Sequence, residues 1–155
     1  GGSANSPTRG VIAGGYTPSV VNTIQFVTIA STGNAVDFCD TTVARRGGGL
    51  GPSSNAVRAI FGGGYSPSAT NSMEFVTIAT TGNATDFGDL TGNSTMPAST
   101  ASTTRVVFAG GSRSPDYTSI IDFVTIATIG NAMDFGNLSD DREQPVGVSN
   151  GHGGL

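Results

Sequence analysis

The stretch from Glu74 to Leu90, EFVTIATTGNATDFGDL, occurs twice more in the chain, as QFVTIASTGNAVDFCDT from Gln25 and as DFVTIATIGNAMDFGNL from Asp122. A chain built from one unit repeated three times must fold each copy alike and bury the apolar face of one copy against the next. Other positions keep step with these copies. Arg9, Arg58 and Arg105 precede glycine doublets ending at Gly15, Gly64 and Gly111, and then come Phe26, Phe75 and Phe123. Gly33, Gly82 and Gly130 follow, then Asp37, Asp86 and Asp134, then Phe38, Phe87 and Phe135. The arginines are spaced by 49 and 47 residues and the last phenylalanines by 49 and 48, a period of about 48.

Each period holds four strand-like pieces, in the second copy about Leu50 to Asn55, Arg58 to Gly63, Asn71 to Thr80 and Ala84 to Leu90. Clusters of Gly, Pro, Ser and Asn punctuate them. The run FVTIA is apolar on both faces, so it must be covered on both sides. Composition agrees: 24 Gly, 7 Pro, 12% charged residues and no Trp describe turn-rich all-β structure. Thr-Gly-Asn-Ala, between the third and fourth pieces, is predicted as a two-residue hairpin turn with Gly82 and Asn83 at positive φ.

The expectation is an all-β chain of three β-propeller blades, each of four antiparallel strands: blade 1 about 1–45, blade 2 about 46–95 and blade 3 about 96–141. Known propellers close with about 4–8 blades, so three are expected to be completed to a six-bladed ring by dimerisation. Residues 142–155 carry Pro145 to Asn150, which match Gly51 to Asn55. They read as an extra innermost strand, given to a neighbour in a homodimer formed by strand exchange.

The glycine doublet closing the second strand, the aromatics of the third and fourth strands, and a downstream Arg46 and Arg142 resemble the order of kelch-type propeller repeats. The string TIATTGNATDFGDL is similar to repeats in proteins predicted in aquatic bacteriophages. That resemblance implies a structural or host-binding virion component.

Chemistry is sparse. The cations are seven Arg with no Lys, the net charge is −4, and no basic footprint for nucleic acid exists. No run reads as a membrane span. Cys39 is a lone thiol standing where the other copies have Gly88 and Gly136, and it reads as a small packed side chain. Asp86-Phe87-Gly88 lacks the lysine and catalytic loop of a kinase and reads as strand. Gly47 to Gly51 lacks a phosphate loop's Lys-Ser/Thr. His152 has no companion for zinc or a triad. No catalytic residue, metal site or cofactor is expected.

The repeated Asp37, Asp86 and Asp134 are expected to pair with Arg9, Arg58 and Arg105 as interblade locks. Tyr16, Tyr65 and Tyr117, in loops rich in Pro and Ser, are the candidate ligand-binding residues. The function expected is a non-enzymatic structural or host-adhesion module, a display scaffold in a virion or outside cells. Its partners would be itself and a glycan or host surface protein, with neither nucleic acid nor membrane. The alternatives are a lectin-like glycan binder and a piece of a larger propeller enzyme.

Overall fold

β-Branched and aromatic runs broken by Gly, Pro and Ser have no route to helix, and they pair as strands instead. A computed structural model describes residues 1–149. Among these residues there are thirteen strands and no helix, in four antiparallel sheets. The first sheet runs in order β1 (Gly2–Asn5), β2 (Arg9–Tyr16), β3 (Val20–Thr28) and β4 (Val36–Asp40). The second holds β5 (Arg58–Gly62), β6 (Ser72–Thr77) and β7 (Thr85–Asp89). In the third repeat β8 (Ala98–Ala101) and β9 (Arg105–Ala109) lead into a small hairpin of β10 (Ser112–Arg113) and β11 (Asp116–Tyr117). Then β12 (Ile120–Thr125) and β13 (Met133–Asn137) complete a sheet of order β8-β9-β12-β13.

The innermost strand expected over Leu50 to Asn55 is reduced to a bridge between Ser54 and Ala59. Ile60 N–H donates to Ser53 O at 2.8 Å and Asn55 N–H to Arg58 O at 3.1 Å, so the pairing survives locally. The parallel bridges Ser3–Pro52 and Leu50–Ala98 set edges of the first and third sheets beside the segment that precedes β5. β1 pairs with β2 as an edge strand of the first sheet, on the side where strand exchange was expected to add a neighbour's strand. Residues 145–149 lie against other segments of their own chain, with Gly147 N–H donating to Leu50 O at 3.2 Å and Thr100 Oγ1 to Val148 O at 2.6 Å.

Apolar side chains from facing sheets form two cores. Ile24 and Phe38 of the first sheet meet Phe61, Val76 and Ile78 of the second, and Met73 and Phe87 of the second meet Val106, Phe108 and Ile126 of the third. Phe38 and Phe87 fill these intersheet pockets, whereas Phe135 is 54% exposed because no described residue covers the outer face of the third sheet.

The Asp-Phe-Gly triplet has a structural meaning that the strand reading missed. The register slips between Ile24 and Gln25, between Met73 and Glu74, and between Ile121 and Asp122, leaving Phe38, Phe87 and Phe135 as the extra residue of a β-bulge. The next residue takes positive φ: Gly88 at 129°, Gly136 at 138°, and in the first sheet Cys39 at 144°.

Thr-Gly-Asn-Ala is not a two-residue turn. β6 ends at Thr77, a turn closes with Thr80 N–H on Thr77 O at 3.3 Å, and Gly82 and Asn83 keep negative φ in a longer loop. An added Cβ at Gly33, Gly82 or Gly130 would meet nothing within 4 Å. Besides the bulges, positive φ angles recur in the doublets, at 64° for Gly14, 68° for Gly63 and 66° for Gly110. A Cβ there would stand 2.6 Å from Arg45 O, 2.5 Å from Ser94 O and 3.2 Å from Arg142 O respectively, so glycine is demanded by both φ and contact.

Candidate functional site

The repeated arginines do not pair with the repeated aspartates. Each guanidinium stacks on the phenylalanine of its own sheet, Arg9 on Phe26 at 4.5 Å, Arg58 on Phe75 at 4.4 Å and Arg105 on Phe123 at 4.9 Å. From there Arg9 Nη1 donates to Ile78 O at 2.8 Å and Ala79 O at 3.0 Å, and Arg58 Nη1 to Ile126 O at 2.7 Å. The lock thus runs from cation to ring to the next sheet's carbonyl. Asp37, Asp86 and Asp134 are exposed on their strands, where water solvates the charge.

The carboxylates that do lock the sheets sit one strand earlier, at the position held by Gln25, Glu74 and Asp122. Glu74 is buried with Arg45 in an ion pair and accepts Thr42 N–H at 2.6 Å. Arg45 Nη1 also donates to Gly63 O and Ser72 O, each at 3.0 Å, and burial lowers its pKa below the ordinary arginine value. At the next interface Asp122 accepts Thr91 Oγ1 at 2.7 Å and Thr91 N–H at 3.2 Å, and pairs with Arg113 at 2.6 Å. Sequence reasoning missed both ion pairs, Arg45–Glu74 and Arg113–Asp122, although the polar residue before each FVTIA run was an available signal for Glu74 and Asp122.

These locks hold the loops at one end of the sheets. Tyr16 closes β2, and Tyr65 takes the same place after the second doublet, where Arg46 and Tyr65 exchange backbone hydrogen bonds of 3.2 and 2.8 Å. The Arg46 guanidinium lies between the two rings, 5.0 Å from Tyr16 and 5.2 Å from Tyr65. One cleft of about 300 Å³ opens beside Tyr16, Pro18, Arg46 and Tyr65. A second, of about 610 Å³, shares Tyr65 and Pro67 and adds Asn93, Thr95, Arg113 and Ser114. Tyr117 is not part of either lining. It stands on β11, paired with Ser112, and is 54% exposed.

The arrangement can stack flat apolar rings, donate from two guanidinium groups and exchange hydrogen bonds with an amide. No nucleophile with a positioned base lies on it. Among the described residues no group of three or more His, Cys, Asp or Glu could hold a metal ion. Cys39 is half-buried and free. His152 lies outside the described residues. No helix among the described residues is long and apolar enough to cross a membrane.

No known family model matches the chain, and no curated protein matches it.

Proposed function

We propose that the three sheets are propeller blades and that the chain is a non-enzymatic display and adhesion module of a virion or an extracellular assembly. The observation that carries this reading is the Tyr16–Arg46–Tyr65 stack, which spans two sheets and fixes three large side chains at the rim of open clefts. Rigid aromatics lose little conformational entropy when a partner covers them, and this makes such a face efficient in adhesion. The buried Arg45–Glu74 pair beneath it supports the same reading, since it ties the loop bearing Arg46 to the second sheet.

A glycan is the second reading, favoured by the larger cleft, where Tyr65 offers a stacking face beside Asn93 and Arg113 as hydrogen-bonding groups. A glycan array with the purified chain tests both. Binding to a group of related sugars, reduced at least tenfold in Tyr65→Ala, selects the sugar reading. Silence across the array selects a scaffold whose face meets protein, and turnover of any sugar overturns both.

A further inference from the structure

The chain contains two finished interfaces between successive sheets, and they are built from the same parts. In each, the Gly-Asn-Ala segment of one sheet lies along the bulged outer strand of the sheet before it. Gly82 N–H donates to Phe38 O at 3.2 Å and Ala84 N–H to Asp40 O at 2.9 Å, while Asp40 N–H donates to Asn83 Oδ1 at 3.2 Å. Gly130 N–H donates to Phe87 O at 2.9 Å and Ala132 N–H to Asp89 O at 2.8 Å, while Asp89 N–H donates to Asn131 Oδ1 at 3.1 Å. Fit is close enough that a Cβ on Gly88 would stand 2.5 Å from Gly130 O.

The third sheet ends in the receiving half of this interface with nothing among the described residues to receive. β13 carries the same bulge, Phe135 followed by Gly136 at φ 138°, and a Cβ on Gly136 would meet no atom within 4 Å. Arg105 stacks on Phe123 as its counterparts do, but no carbonyl accepts from it among the described residues. The first sheet presents the donating half. Gly33-Asn34-Ala35 is exposed, and the apolar side chains that would enter the pocket are uncovered: Ile12 is 47% exposed against 4% for its equivalent Phe61, and Ile29 is 55% exposed against 1% for Ile78.

We propose that a second copy of this chain docks its first sheet on the third sheet of the first copy, through the interface the chain already uses twice internally. Gly33 and Ala35 of the incoming copy donate to Phe135 O and Asn137 O, and Asn34 accepts from Asn137 N–H. Arg105 donates to the incoming Ile29 O. Ile12, Val27 and Ile29 cover Phe123 and Phe135. Gln25 takes the place of Glu74 and Asp122, its amide oxygen facing Ser139 N–H and Arg142, which stand where Thr42 and Arg45 stand in the first interface. A neutral amide there lets the two copies meet without burying a carboxylate. The contact is head-to-tail, so each copy offers one half at either end, and two copies close a ring of six sheets. Only that closure rests on reading the sheets as propeller blades, which form rings of about 4–8.

Light scattering after size exclusion, on the parent chain and on Phe135→Asp and Ile29→Asp, tests the contact. Both side chains are more than half exposed in the single chain, so the substitutions leave its own cores intact. The parent is expected at twice the mass of one chain and each variant at the mass of one chain. An equimolar mixture of the two variants is expected to recover a pair, because one contact then joins an intact Phe135 to an intact Ile29. A parent at the mass of one chain, an open polymer, an assembly indifferent to both substitutions, or a mixture that stays single overturns the proposal. Far-UV circular dichroism and a thermal melt on the same samples separate this failure from that of the display reading. A cooperatively melting β-rich single chain loses the contact and keeps the scaffold.

Discussion

Glycine at Gly63 and glycine at Gly82 are both invariant across the three copies of the repeat, yet they answer to different physics. Gly63 holds φ at 68° and turns its missing Cβ toward Ser94 O, 2.5 Å away. Gly82 has ordinary backbone and open space around it. Gly63→Ala is therefore expected to lose stability by at least about 1–3 kcal/mol, the cost of a strained backbone alone. Gly82→Ala is expected to stay within about 0.5 kcal/mol of the parent, as surface substitutions do. Denaturant midpoints of the two variants check this, and equal losses would sink the assignment of strain to the doublet. Cys39 takes φ 144° where Gly88 and Gly136 stand in the other copies, so the first sheet carries a strained residue that its sister sheets avoid.

Between elements, stability depends on how each sheet meets its neighbour. The Arg45–Glu74 pair is buried on both sides, 4% and 2% exposed, and each partner is committed to backbone groups as well. Removing one charge strands the other away from water, which typically costs about 3–5 kcal/mol. Glu74→Gln, which keeps an acceptor for Thr42 N–H, is expected to fall in that range. Adding Arg45→Met is expected to restore part of the loss, and a double-mutant cycle from thermal melts measures the coupling. Additive losses would show that the pair is not a unit. The strands themselves were legible in sequence: β5, β6 and β7 fall within the pieces marked by alternating punctuation and β-branched runs. The Arg45–Glu74 and Arg113–Asp122 locks were not, because strand pattern gives the face of a residue and not its partner on another sheet.

Across the whole molecule the three repeats are alike in sequence and unlike in environment. Gly82 N–H and Ala84 N–H are hydrogen-bonded to the first sheet, whereas Gly33 and Ala35 meet no such strand among the described residues. Hydrogen exchange is expected to find Gly82 and Ala84 protected at every concentration. Gly33 and Ala35 are expected to gain protection only as concentration rises and a second copy docks, and to stay fast in Phe135→Asp. Protection of Gly33 independent of concentration would remove the docked copy as its cause. Amide exchange reports such local opening residue by residue.

What the sequence alone determined is the part of the fold that is local: the period of about 48 residues, the all-β class and the positions of most strands, whereas the positive φ it assigned to Gly82 lies in the glycine doublets. These follow from side-chain periodicity and backbone sterics within a few neighbouring residues. The tertiary structure alone decided the pairings. Gly82 meets Phe38 and Glu74 meets Arg45 and Thr42 across sheets, contacts whose partners lie far along the chain and leave no local mark. Tyr16 and Tyr65 share Arg46 for the same reason, while Tyr117, read with them from composition, stands on a separate hairpin. Phe87 and Phe135 sit in the same triplet, and one is buried and the other exposed because burial is set by which sheet arrives next to cover the ring.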